Sequence, residues 1–384
     1  MLFGLNNQIK SIIYFIIDLL VKSNKNIEQK SLLLIRLDGI GDCILFRDFI
    51  KILKKSEKYK NYSITLLGNT IWKNLIEVSD NKFVDRFIWL ERNKFSKNLF
   101  YRYKKLQEIA SQGYEVIISP TFSRAFFYED NIVKLVCAKE KIGSKGNTSN
   151  ITFKQKNHGD LGYTNLIETT KKITFEFYRN KEFFEKLLNT KIELHKPVLI
   201  HNNKNSLKNI SKKYALLFIG GSDNYKKWSP QNFAKVAIYL NRKYDYEIVI
   251  CGSSEDEQNA NILIKSYNGK IINFVGKTDL LELIELISKS NLLLSNETSG
   301  PHIAAALNKK NIFVIYNGKH FGRFVPYPKE ISKDYHVIYH SYINNNYDHY
   351  KKISNKHNFN VFLNINEIDA DDVIKKIDST LNIL

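Results

Sequence analysis

The chain has 384 residues, 43% of them hydrophobic and 25% charged, the balance of a soluble globular protein with a sizeable core. At roughly 150 residues per domain, that length predicts two domains and excludes disorder, collagen and a disulfide scaffold. Lys and Arg number 58 against 39 Asp and Glu, a net charge of +19, so the expected partners are anionic: nucleic acid, phosphorylated small molecules or an acidic membrane face. Heavy use of Lys, Asn and Ile is also what AT-rich coding produces, so charge alone names no partner. Cys43, Cys137 and Cys251 are far apart, without metal-site or redox spacing, and point to a reducing cytoplasm.

Residues 1–30 form a lead-in. Its apolar stretch Ile12–Val21 (IIYFIIDLLV) is interrupted by Asp18. It falls short of the roughly 20 residues a membrane span requires. It also lacks the basic start and small-residue cleavage site of a signal peptide. Two readings stay open: an amphipathic helix packed on the first domain, or one lying on a membrane surface.

From residue 31 short apolar runs alternate with helix-period segments, the pattern of βαβ units and parallel sheets. Strands are predicted at Ser31–Leu37, Ser63–Leu67, Arg86–Leu90 and Glu115–Ser119, followed by helices at Cys43–Lys55, Thr70–Val78, Lys97–Gln112 and Arg124–Cys137. The pattern dissolves over Lys139–Asp160, and helical segments return between Tyr163 and Leu188. This first domain, 31–200, ends at a polar, basic, aperiodic linker, 201–213. A second series spans 214–365. Its predicted strands are Tyr214–Ile219, Glu247–Cys251, Lys270–Phe274, Asn291–Ser295 and Asn311–Tyr316; its helices are Pro230–Lys243, Ser254–Tyr267, Leu280–Lys289 and Pro301–Leu307. After Tyr316 come an aromatic and basic loop and an irregular basic stretch. A last amphipathic helix lies within 366–384, with Ile368, Val373, Ile374, Ile377 and Leu381 at helical spacing. The expected architecture is α/β: two Rossmann-like domains facing a central cleft.

In open parallel sheets, ligands bind beyond the carboxyl ends of the strands, and three such ends carry chemistry. LLLIRLDGIGD (32–42) runs from a strand into a loop where Gly39 and Gly41 allow a sharp turn. Asp42 there is a candidate general base toward a hydroxyl, although Asp38 or Asp42 would equally serve as a helix cap. The spacing matches neither the dinucleotide fingerprint nor a P-loop. FIGGSDNYKKW (218–228) brings glycines and Lys226 to a second strand end, an arrangement suited to phosphate; a solvated basic loop would read the same. LLLSNETSGPHIAAA (292–306) ends a strand at Ser295 and opens a helix, with Pro301 expected at its first position. That helix start offers free N–H groups and the positive end of a dipole to a diphosphate. Glu297, Thr298, Ser299, Gly300 and His302 surround it. The competing reading is an ordinary capped βα junction.

Together RLDGIGDCILF, GGSDNYKKWSPQNFA and VGKTDLLELIELISKSNLLLSNETSGPHIAAAL, in this order and separation, resemble glycosyltransferase family 9, which includes the lipopolysaccharide heptosyltransferases. The resemblance covers roughly residues 31 to 325, and the loop HFGRFVPYP (320–328) fits it too. It implies a GT-B fold, with the nucleotide-sugar donor held by the second domain and the acceptor by the first. It places the catalytic base on Asp42, with Asp38, Gly39 and Gly41 in the acceptor-side loop. The diphosphate contact falls on Lys226, two before Trp228, and the nucleotide-sugar loop on Glu297 to His302. The family commonly has Asp where Glu297 stands.

The expectation is an inverting, metal-independent glycosyl transfer without a resident cofactor. Its substrates would be a nucleotide-diphosphate sugar, ADP-heptose being the family's best-known donor, and a lipid-linked or lipopolysaccharide-type acceptor on an anionic inner leaflet. Arg323 is a candidate second phosphate contact, its alternative being a surface arginine. His302 either touches the diphosphate or faces its own helix. No metal site is expected, since the nine histidines are scattered. Two other functions compete: a basic α/β module binding nucleic acid, against which no recognition signature is found, and a nucleotide-sugar epimerase or phosphorylase of the same fold.

Overall fold

The computed structural model describes residues 7–200, 210 and 213–382; the expected linker 201–213, apart from Ile210 and Lys213, lies outside the described residues. The chain divides into two compact units: Met1–Lys171 with Tyr178–Glu193, and Lys172–Phe177 with Leu194–Leu384.

The first unit is built on β1 (Ile27–Arg36), β2 (Ser63–Asn69), β3 (Arg86–Leu90), β4 (Gly113–Ser119), β5 (Ala138–Ser144) and β6 (Asn165–Ile167). All pair in parallel, in the order β3-β2-β1-β4-β5-β6. The second unit holds β7 (Tyr214–Phe218), β8 (Glu247–Cys251), β9 (Ile271–Asn273), β10 (Leu292–Asn296), β11 (Ile312–Tyr316) and β12 (Tyr335–Tyr339). These are again parallel, in the order β12-β11-β10-β7-β8-β9. Counted from the first strand of each unit, the two orders are identical, the doubly wound Rossmann order. The order reverses between β1 and β4 in one sheet and between β7 and β10 in the other.

Strands covered on both faces read as unbroken apolar runs. Leu32–Ile35 of β1 and every residue of β10 and β11 are buried accordingly. In the first unit Leu33, Ile35, Leu67, Ile88 and Ile117 pack with Leu106 and Ile109. In the second, Leu217, Ile250, Leu294 and Ile315 pack with Phe233, Val236 and Leu240.

The domain boundaries differ from the expected ones. Residues 172–177 and 194–200, assigned to the first domain on pattern, belong to the second unit. The Glu176 N–H donates to the Arg323 carbonyl at 2.8 Å, Phe175 lies edge-on to Tyr327, and the Leu199 N–H donates to the Ala306 carbonyl. The lead-in and the last helix are not separate bodies. The N-terminal helix, Asn7–Leu20, buries Tyr14 and Ile17 on the first unit, and Ala370–Leu381 buries Val373 and Ile377 in the second core. The helix docked on the domain is therefore one of the two readings realised, and it leaves a second apolar face exposed.

Lys139–Asp160 contains β5 and the helix Phe153–Asp160. β5 reads AKEKIGS, whose charged residues hide the strand, while its ladder to β4 and β6 forms regardless. The irregular stretch after Tyr316 contains β12 and the helices Ser341–Asn345 and Tyr347–Lys356.

Candidate functional site

Both groups of predicted residues fall where the strand order reverses, where open sheets bind ligands. In the first unit β1 ends on Arg36, and a short loop leads to the helix Ile40–Phe46. The loop is pinned from several sides. The Asp38 carbonyl accepts from Trp72 Nε1 at 3.0 Å and from the Asn69 amide at 3.2 Å, and the Leu37 carbonyl accepts from Arg92 at 3.0 Å.

Gly39 is the N-cap in extended geometry (φ −70°), and no side chain caps the helix. The capping reading for Asp38 and Asp42 is therefore not realised, and Gly41 lies inside the helix. Neither glycine takes a left-handed conformation. Asp42 stands in the first helical turn, about a quarter exposed, where a carboxylate also meets the positive end of the helix dipole.

Arg36 ties the two aspartates together. Its guanidinium is wholly buried, 2.8 Å from Asp38 and 3.9 Å from Asp42. Asn180 Oδ1 accepts from it at 3.3 Å, and it lies over the Phe46 ring. Asp38 also has the Thr121 hydroxyl at 3.5 Å, from the end of β4, and Arg92 at 4.0 Å. Behind it Glu129 is fully buried, and neither carboxylate oxygen has a hydrogen-bond partner. Burial pushes its pKa up to about 7, with Arg92 opposing and Asp38 reinforcing the shift.

Arg36, Thr121 and Glu129 were not singled out from the sequence. Arg36 carried a signal, a cation closing an apolar strand run; Glu129, within FFYED, carried none.

In the second unit Asn296, at the end of β10, stitches two loops. Its side-chain amide donates to the Ile219 and Gly220 carbonyls at 2.9 and 3.1 Å, and its Oδ1 accepts from the Trp228 N–H. This carries Lys226 to Glu297; both are over nine-tenths buried and form an ion pair. The reading of Lys226 as part of a solvated basic loop fails. Its neighbour Lys227 is held 2.6 Å from the buried carboxylate of Asp256. A Cβ at Gly220 would come within 2.5 Å of the same carboxylate, so only glycine fits there.

Thr298 and Ser299 are half-buried at the opening of the helix Ser299–Ala306, which no side chain caps. The helix starts two residues earlier than predicted, so Pro301 is its third residue rather than its first. The N–H groups of Ser299 and Gly300 stand in the first turn, where the helix itself supplies no acceptor. Gly300 lets the helix approach β7, where a Cβ would meet the Phe218 ring at 2.7 Å.

His302 is buried with its Nδ1 2.7 Å from the Tyr327 hydroxyl. Burial, reinforced by the Lys226 cation, drops its pKa to about 3, so it is neutral at pH 7. Arg323 is no surface arginine: it is buried and pairs with Glu176 at 2.7 Å. The residues expected at the second switch point thus separate into two groups. Lys226, Glu297, Thr298, Ser299 and Gly300 form the opening, while His302 and Arg323 are bound up in the wall around it.

The glycosyltransferase family 9 (heptosyltransferase) model matches residues 102–354. Lipooligosaccharide heptosyltransferase 2 of Campylobacter jejuni is 24% identical over 301 residues, covering 78% of this chain and 84% of that one. The Haemophilus ducreyi enzyme of the same name is 33% identical over 105 residues, 26% of this chain and 30% of its own. Among solved structures, the family 9 glycosyl transferase of Veillonella parvula superposes with a TM-score of 0.69 at 19% identity, covering 94% of this chain and 100% of that one. Escherichia coli heptosyltransferase WaaC with ADP-2-deoxy-2-fluoro heptose superposes at 0.64 and 14% identity, covering 91% and 99%. The fold is GT-B. With a family match spanning well over half its length, the chain belongs to glycosyltransferase family 9, the heptosyltransferase family, and is a glycosyltransferase.

Proposed function

We propose that the protein transfers a heptosyl group, with inversion and without a metal ion, from a nucleotide-diphosphate heptose to a lipopolysaccharide-type acceptor in the cytoplasm. The observation that carries the donor side is the buried Lys226 at the open start of the Ser299 helix, on the switch point of the second sheet. As the glycosidic bond to the diphosphate breaks, the leaving group gathers negative charge. Lys226, the Thr298 and Ser299 hydroxyls and the helix N–H groups are fixed donors for that charge, and preorganised donors of this kind stabilise a transition state strongly.

The ion pair adds a feature of its own. Lys226 is neutralised by Glu297 before any ligand arrives, so the diphosphate exchanges with Glu297 on Lys226. The freed Glu297 carboxylate then accepts hydrogen bonds from sugar hydroxyls. On the acceptor side Asp42 takes the proton from the attacking hydroxyl. Arg36 and its place in the first helical turn orient it for that role. The new bond forms to the anomeric carbon as the bond to the diphosphate breaks, and the proton ends on Asp42.

The donor half is tested by thermal stabilisation with a panel of nucleoside diphosphates and their sugars. A ligand at about 100 times its Kd adds roughly 2.7 kcal/mol to the folded state. The expected result is a shift with one nucleotide family that disappears in Lys226→Ala. No shift with any nucleotide, together with salt-sensitive binding to DNA or RNA, overturns the reading. Transfer abolished by chelation and restored by a divalent ion overturns the metal-independent part.

A further inference from the structure

The N-terminal helix carries two apolar faces, and the first unit uses only one. Inward, Tyr14 and Ile17 are buried, the Tyr14 hydroxyl donates to the Ser96 carbonyl, and Arg102 stacks on the Tyr14 ring at 3.8 Å. Asp18, the helix's only acidic residue, is turned to the same side, where the Asn131 amide donates to it. Outward stand Ile9, Ile12, Phe15, Ile16, Leu19 and Leu20, all exposed, Leu19 by 69%. At 3.6 residues per turn these six cover a continuous arc of about 140°. Isolated exposed apolar residues are ordinary; a contiguous stripe of six on one helix is not.

The surroundings say what meets this face. The Lys22 backbone, just past the helix, exchanges two hydrogen bonds with Gln107, at 3.0 and 2.9 Å, on the helix Leu99–Ala110. Gln107 shares a stripe with Phe100 and Lys104, at i, i+4 and i+7, so that stripe borders the N-terminal helix. Phe100 is 65% exposed, and the Lys104 ammonium lies 4.5 Å from its ring. Lys22, Lys25, Lys97 and Lys104 are exposed around the apolar face. An apolar stripe rimmed by cations is complementary to an anionic bilayer interface, where side chains enter the acyl boundary and lysines meet phosphates. A second copy of this chain would bring the same lysines against their like. At 14 residues the helix is about 21 Å long, too short for the roughly 30 Å hydrocarbon core. A helix of that length fits along an interface rather than across a bilayer, and no helix among the described residues is long and apolar enough to span a membrane.

We infer that the outer face of the N-terminal helix, with Phe100 and its flanking lysines, docks the protein on an anionic lipid surface. The inference rests on this helix and its neighbours; the proposed acceptor only gives the docking a purpose.

The test uses the full chain in co-sedimentation with vesicles of phosphatidylglycerol and phosphatidylethanolamine, against vesicles of pure phosphatidylcholine. Binding is expected to the anionic vesicles, weakening as salt rises. Ile16→Glu with Leu19→Glu should reduce it about 10-fold or more, and Lys104→Glu by roughly 5-fold. All three positions are exposed, so melting temperature and transfer to a delipidated, soluble acceptor should match wild type. Equal binding by the double variant, or no binding to anionic vesicles by wild type, overturns the inference. So does a dimer in solution that the double variant dissociates while vesicle binding is absent. Loss of transfer with vesicle binding intact counts against the proposed reaction and leaves the docking standing.

Discussion

Replacing Arg36 by Met keeps the bulk of the side chain and removes the cation that holds two aspartates at once. Asp38 sits 2.8 Å from that cation and is 16% exposed on its side chain, so most of its carboxylate loses its counter-charge while still shielded from water. Removing one partner of a buried pair costs about 3–5 kcal/mol. Asp38 keeps some solvent and retains Thr121 at 3.5 Å and Arg92 at 4.0 Å, which sets the expectation at the low end, about 3 kcal/mol. For a unit of this size that is a fall of about 6–12 °C in the first unit's melting temperature. Adding Asp38→Asn removes the stranded charge, so the double variant should recover at least about 1 kcal/mol. Transfer should stay depressed in the double variant, because Asp42 still lacks the cation that orients it. Calorimetry with urea titrations reads the stability, and steady-state transfer reads the rate. A double variant no more stable than Arg36→Met, or an Arg36→Met that melts like wild type, refutes the argument.

Two further predictions concern pH. Unfolded His302 takes up a proton near pH 6.5, the folded one only near pH 3. The second unit therefore loses stability as pH falls from 6.5 toward 3, by about 2 kcal/mol between pH 7 and 5. His302→Asn should remove that share of the loss, measured as a smaller difference between urea midpoints at the two pH values; an unchanged difference contradicts the neutral buried imidazole. Glu129 has the opposite sign: its folded pKa, about 7, stands above the unfolded 4.5, so stability is lost as pH rises from 4.5 through 7. Glu129→Gln should be more stable than wild type above pH 7, with the advantage gone below pH 4.5. Equal stability at pH 8 would show that Glu129 is ionised without cost.

Much of this architecture was legible because parallel strands buried on both faces announce themselves. Leu292–Asn296 and Ile312–Tyr316 are apolar enough to admit no other reading, and the predicted strand positions in the second half lie within a residue or so of the observed ones. β5 and β12 were not legible. Their ladders are supplied by neighbouring strands, and AKEKIGS has one large apolar residue to signal with. The site divided in the same way. Residues whose work is local left marks in the sequence: Thr298, Ser299, Gly300 and Pro301 signalled a helix start, placed two residues late, and Lys226 stood beside glycines at a strand end. Residues whose work depends on a distant partner were not. Arg323 looked like a phosphate ligand until Glu176, 147 positions away, proved to hold it. Glu297 looked like part of a loop until Lys226 was found against it. Ion pairs across such separations leave no periodic trace, and they settle which cations remain for a ligand.

The proposed reaction turns on Asp42 as the base for glycosyl transfer. The most direct test compares Asp42→Asn with wild type for heptosyl transfer from ADP-heptose, alongside calorimetric titration of ADP into each. General-base assistance is worth about 100- to 10,000-fold, so the rate should fall within that range while ADP binding is unchanged. A variant that transfers at the wild-type rate would contradict the claim, and one that loses ADP affinity in step with rate would move Asp42 from proton transfer to donor binding.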